Sequence, residues 1–300
     1  MDSNYYYNND RLLNTNTTNN KITLPPIATR DEEDPLVRQK FDNPNQGKFN
    51  PSNRQIMEIE EQRKIIRPAP TGVMDVWVKP LLAEFLATML FVFIGCCQAM
   101  SGNVSAAAFA HGLTIAVLVA CLADISGGHI NPAVTISLML AGGISLVKGA
   151  LYIICQLLGS ILGASIFMGA VGMDNYKRMM GGMTLYNASP GGITPGGAFL
   201  CEVFFTSLLI FCVLMLALDH GGRNPVTALY IGLSIVACVY AGANISGASL
   251  NPARTFGPGV LFAIAGRHNW YGQWVFYIAQ ILAAVVTALL YRFVFRTREI

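Results

Sequence analysis

Two tripeptides carry most of the chemistry this sequence offers. Asn131-Pro132-Ala133 and Asn251-Pro252-Ala253 stand 120 positions apart. Asn is a preferred helix N-cap, and Pro suits the first helical turn, where its missing N–H goes unused. Each tripeptide therefore opens a helix, whose start carries about +0.5 of a charge. Each Asn side chain also offers amide N–H donors. Two such starts facing one another repel cations, protons included, and suit a neutral solute that accepts two hydrogen bonds. Water is the smallest such solute. Arg254 follows the second tripeptide where Val134 follows the first. A charge inside a bilayer costs at least about 2.5–3.5 kcal/mol on insertion scales, so such a residue marks a wet, functional position. Glu84 and Glu202 are two more ionisable groups set in apolar stretches.

The elements that position these groups are those of a membrane protein. Of the 300 residues, 53% are hydrophobic and 12% charged, with a mean hydropathy of +0.46. Residues 1–79 hold 22 of the 37 Asp, Glu, Lys and Arg. A soluble surface, which uses roughly 25% charged residues, cannot be built from the remainder. Net charge +3 gives no case for nucleic acid. No apolar segment precedes residue 80, so no cleavable signal peptide is expected. The cysteines (96, 97, 121, 155, 201, 212 and 238) all fall in apolar segments and read as small buried hydrophobes. No metal or cofactor site is expected.

Residues 1–70 are expected to be a disordered, Asn-rich cytoplasmic tail; within it 54–67 reads as a solvated linker, with a short helix closed by Pro68 and Pro70 as the alternative. Six segments reach the roughly 20 residues a span requires: about 80–100, 104–123, 148–170, 197–218, 225–242 and 272–295. The fifth is the shortest. Two apolar stretches, 132–141 and 252–264, are too short to span and read as re-entrant. An inside N-terminus puts Arg63, Lys64, Arg67, Lys79, Lys148, Arg223, Arg292, Arg296 and Arg298 in the cytoplasm, and Lys177, Arg178 and Arg267 outside. That bias places both termini inside.

Residues 111–135 align with 231–255, with 12 of 25 positions identical. Glu84 and Thr88 match Glu202 and Thr206 upstream. Each copy (about 80–172 and 197–296) holds three spans and a half-span, so the second must enter the membrane from the opposite face. The half-spans then enter from opposite sides and meet near the midplane.

Residues 80–300 resemble the aquaporin (major intrinsic protein) family. The resemblance rests on Ser126-Gly127-Gly128-His129-Ile130-Asn131-Pro132-Ala133-Val134-Thr135 and Ser246-Gly247-Ala248-Ser249-Leu250-Asn251-Pro252-Ala253-Arg254-Thr255. It implies an all-α membrane protein with an inverted repeat, six transmembrane helices plus two re-entrant half-helices. It also implies a homotetramer with one pore per subunit, in a channel domain over 71–298. Arg254 would be the arginine of the outer constriction, joined by His111, Val239 and Ala248. Glu84 and Glu202 would each accept hydrogen bonds from a re-entrant loop. Strict water channels have an aromatic where His111 stands and a His where Val239 stands. The present set is more similar to vacuolar plant aquaporins, which also pass ammonia, urea or hydrogen peroxide. Thr255 and the pair Phe276-Tyr277 differ from glycerol-conducting members, which carry Asp, and Pro with Leu, there. The Gly-Pro common after that pair is replaced by Ala279-Gln280.

The resemblance implies a passive channel for water and small neutral solutes, in the plasma membrane or an intracellular vacuolar membrane. A gated or non-conducting protein on the same scaffold is the alternative. A secondary transporter should add an ion-coordinating set, and an ion channel a charged ring or carbonyl filter. A two-carboxylate enzyme fails because inverted copies hold Glu84 and Glu202 apart. Arg254 is expected across the pore from His111, leaving the imidazole neutral and free to bond the solute. His129 is read as packing in its loop, and His220 with Arg223 as a candidate pH-sensitive pair. Asn187-Ala188-Ser189 fits a glycosylation sequon.

Overall fold

The computed structural model describes residues 72–186, 192–219, 226–266, 270 and 272–296. The tail, its 54–67 segment, the sequon and the His220/Arg223 pair lie outside the described residues, as do Arg267 and Arg298. Among the described residues all regular structure is helical. The helices are α1 (Met74–Ser101), α2 (Val104–Ser126), α3 (Pro132–Ala141), α4 (Leu146–Val171), α5 (Met173–Arg178), α6 (Pro195–Asp219), α7 (Thr227–Gly242), α8 (Pro252–Ile264) and α9 (Trp274–Phe295).

Among the described residues, five helices (α1, α2, α4, α6 and α9) are long and apolar enough to cross a bilayer. The expected fifth span is shorter than anticipated. As α7 it has 16 residues and rises only about 24 Å. Polar side chains fix several starts. The Asn103 Oδ1 accepts from the Ser105 and Ala106 N–H groups at 2.7 and 3.3 Å, and so caps α2. Ser145 caps α4 and Thr194 caps α6 in the same way.

The packing repeats with the sequence. α1 lies on α4 as α6 lies on α9. Each half-helix packs on the last long helix of the other copy: α8 on α4, and α3 on α9. α2 and α7, equivalent to each other, cross directly. Their crossing needs glycine, since a Cβ on Gly112 would fall 2.5 Å from the Gly232 carbonyl oxygen. Such close approach of small residues is how helices associate where lipid removes the hydrophobic drive. The faces turned outward, such as Leu82, Leu86 and Leu90 on α1, are apolar and exposed.

Candidate functional site

The two Asn-Pro-Ala segments meet. Asn131 and Asn251 are in extended backbone, and their side chains cap α3 and α8. The Asn131 Oδ1 accepts from the Ala133 N–H at 2.9 Å. The Asn251 Oδ1 accepts from Ala253 at 2.9 Å and from Arg254 at 3.3 Å. Because those backbone groups only donate, the other amide atom in each case is the NH2. Asn131 Nδ2 donates to the Leu250 carbonyl at 2.8 Å, and Asn251 Nδ2 donates to the Ile130 carbonyl at 2.9 Å. The clasp is reciprocal. Among the described residues each NH2 has one acceptor, which leaves one N–H per amide.

Below each clasp lies a buried carboxylate. Glu84 accepts from Ser126 Oγ (2.6 Å), the His129 N–H (2.9 Å), the Ile130 N–H (2.7 Å) and Gln156 Nε2 (2.9 Å). Glu202 accepts from Ser246 Oγ (2.7 Å), the Ser249 N–H (2.9 Å), the Leu250 N–H (3.1 Å) and Gln280 Nε2 (3.0 Å). Charge-assisted bonds of this kind are about twice as strong as neutral ones. They hold Ile130 and Leu250 at φ 55° and 56°, a left-handed conformation that costs a β-branched or bulky residue energy.

His111, Val239, Ala248 and Arg254 line one cavity of about 210 Å³, with Thr184 and Leu185 among its other walls. The Arg254 Nε donates to His111 Nε2 at 3.3 Å, and Nη1 donates to the Gly182 carbonyl at 2.8 Å. His111 Nδ1 lies 2.8 Å from the Ala107 carbonyl. A carbonyl can only accept, so Nδ1 carries the proton, Nε2 is the acceptor and the ring is neutral. This corrects one expectation. His111 stands against Arg254 instead of across a lumen from it, and both ring nitrogens are already engaged. The ring sits edge-on to Phe91, with centroids 5.7 Å apart. Its contributions are shape and an acceptor for Arg254.

His129 packs edge-on to Tyr152 at 5.1 Å, and its Nδ1 is 3.2 Å from Thr135 Oγ1. The described cysteines are all free. Three participants were not singled out from sequence. Gln156 and Gln280 do carry a signal: each ends an aromatic-x-Ile-x-Gln run, from Tyr152 and from Phe276. Gly182 carries none, because it contributes only a backbone carbonyl.

A helical membrane channel, and no enzyme, is the class this arrangement defines. The family model described as major intrinsic protein matches residues 74–291, and the chain belongs to that family. Aquaporin-5 of Sus scrofa is 37% identical over 222 residues, covering 72% of this chain and 80% of that protein. Aquaporin-2 of Homo sapiens is 36% identical over 222 residues, covering 72% and 78%. Among solved structures, the aquaglyceroporin from Plasmodium falciparum is similar with a TM-score of 0.65 at 27% identity, covering 72% of this chain and 96% of that one.

Proposed function

We propose that the chain is a passive water channel that also admits small neutral solutes such as ammonia, urea or hydrogen peroxide, and excludes protons and ions. The reciprocal Asn131–Asn251 clasp carries this reading. It leaves one N–H on each amide to bond a passing oxygen, between two helix starts whose partial positive charge opposes cations. A water molecule bonded through its oxygen to both amides has no acceptor left for a proton from its neighbour. Arg254 adds a full positive charge at the cavity and is the arginine of the constriction, with His111, Val239 and Ala248 as its other walls. Val239 and Ala248 offer no side-chain hydrogen bonds, which supports tolerance for solutes beyond water. Thr255, fully buried with Oγ1 2.5 Å from Ser249 Oγ, supports water over glycerol.

The protein works as a homotetramer with both termini cytoplasmic, in the plasma membrane or a vacuolar membrane. Residues 1–70 form a polar tail ahead of the channel domain at 71–298. Stopped-flow swelling of proteoliposomes tests the function with water, ammonia, urea and glycerol in parallel. Water should pass fastest and glycerol slowest, with no proton leak. Intact protein no more permeable than empty vesicles would sink the reading.

A further inference from the structure

Arg254 needs an acceptor held in a fixed place, and one of its two is a loop carbonyl, Gly182 O. That loop leaves helical backbone through Met180, Gly181 and Gly182, at φ 48°, 65° and 69°. Gly182 lies so close to α1 that a Cβ there would stand 2.9 Å from the Cys96 Cβ. The start of the loop bonds to itself, with Gly182 and Met183 N–H donating to Met179 and Met180 carbonyls at 3.0 and 3.2 Å. Met183 is extended, residues 183–186 have no regular structure, and those bonds stop. Among the described residues, one hydrogen bond reaches residues 183–186 from another element. Gln273 Nε2 donates to the Thr184 carbonyl at 3.0 Å.

Gln273 sits at the N-cap position of α9, yet its side chain caps nothing. It is 2% exposed, and among the described residues its Oε1 has no partner. Burying an unpaired polar atom costs about 1–3 kcal/mol, so an apolar residue would pack better unless the donor is needed. The second re-entrant loop packs closely on the same strip. A Cβ on Gly247 would lie 2.7 Å from the Leu185 carbonyl oxygen, and the next residue, Ala248, is a cavity wall.

We propose that Gln273 is a positioning residue of the constriction. It touches no solute. Through the Thr184 carbonyl it fixes the strip 182–185, and through the Gly182 carbonyl it fixes where the Arg254 guanidinium stands. The proposal rests on Arg254 being the narrow point.

The test is the urea-to-water permeability ratio in proteoliposomes at equal channel density, for Gln273→Met, Arg254→Val and the double variant. Met keeps the side-chain length while removing both the donor and the unpaired Oε1. Gln273→Met should raise the ratio about threefold, the weight of one neutral hydrogen bond. Arg254→Val should raise it further, and the double variant should match Arg254→Val alone, because the first effect acts through the second residue. A merely structural Gln273 would change the number of working channels and scale both permeabilities together. An unchanged ratio in Gln273→Met beside a raised one in Arg254→Val therefore overturns this proposal and leaves the constriction reading intact. Additive effects in the double variant also overturn it. A silent Arg254→Val overturns the constriction reading, and this proposal with it. If Gln273→Met does not insert, Gln273→Asn, whose donor is one methylene short, is measured the same way, and an unchanged ratio again overturns the proposal.

Discussion

Glu84 and Glu202 each accept four hydrogen bonds, and their donors correspond one to one: a serine hydroxyl, two successive loop N–H groups, and a glutamine amide. The Asn clasp is equally symmetric. The cavity is not. Arg254 stands where the first copy has Val134, His111 where the second has Ile231, and Ala248 where the first has Gly128. The comparison separates two demands. Turning a chain around inside a bilayer is the same problem from either face, and both copies solve it with the same buried polar set. Discriminating solutes needs one narrow place, and only one copy supplies its arginine.

Removing a shared part should have the largest effect. Glu84→Ala and Glu202→Ala each strip the partner from four buried donors, at about 1–3 kcal/mol for each donor left unpaired. Both variants should lose the folded channel, seen as loss of detergent-stable protein, and to a similar degree. If one variant stayed folded and conducting, the two carboxylates would not be equivalent supports.

Making the second copy resemble the first should have the next largest effect. Arg254→Val restores the Val134 residue type, takes a charge out of a buried site and leaves both carboxylate cradles untouched. Insertion should be normal, while the urea-to-water ratio rises about tenfold, as expected when roughly 1.4 kcal/mol of discrimination is lost. Proton leak should appear with it. Normal exclusion of protons by this variant would assign that task to the Asn clasp alone.

The symmetric part of the site was legible in the sequence, because repetition exposes it. Asn131 and Asn251, Glu84 and Glu202, and the half-spans 132–141 and 252–264 all stand in matched pairs, and the observed α3 (Pro132–Ala141) and α8 (Pro252–Ile264) coincide with those expected ranges. The asymmetric part was legible as composition only. That His111, Val239, Ala248 and Arg254 share one cavity follows the resemblance, but the Arg254–His111 contact depends on side-chain reach across two helices, which spacing does not encode. Gly182 was invisible because its carbonyl is a property of backbone path. The C-terminal end of α7 falls at Gly242 as expected, and its start falls at Thr227, with Val226 at the N-cap position.

His111 offers a smaller effect that sharpens the asymmetry. His111→Ala enlarges the cavity and leaves the Arg254 Nε without its acceptor, so the urea-to-water ratio should rise about threefold, as for one lost hydrogen bond. His111→Phe also removes the acceptor but fills the space, so the ratio should fall. If both substitutions moved the ratio in the same direction, His111 would act only by holding Arg254 and its bulk would not matter to the solute.

The smallest effect belongs to a loop position where the copies differ away from the cavity. His129 reaches Thr135 Oγ1 at 3.2 Å, and Ser249, its counterpart, lies 2.5 Å from Thr255 Oγ1. Both therefore contact the hydroxyl on the first turn of their own half-helix. His129→Ser keeps a hydroxyl donor and acceptor at that place, while removing the edge contact with Tyr152. That contact is worth about 0.5–1.5 kcal/mol. The Glu84 bonds come from backbone N–H groups and from Ser126 and Gln156, so the substitution leaves them in place. Thermal stability should fall by a few degrees, and water permeability should change by less than about twofold, because the smaller side chain neither adds a charge nor narrows the path. A large loss of water flux with stability preserved would make His129 part of the conducting path, and the two loops would then differ in function as well as in packing.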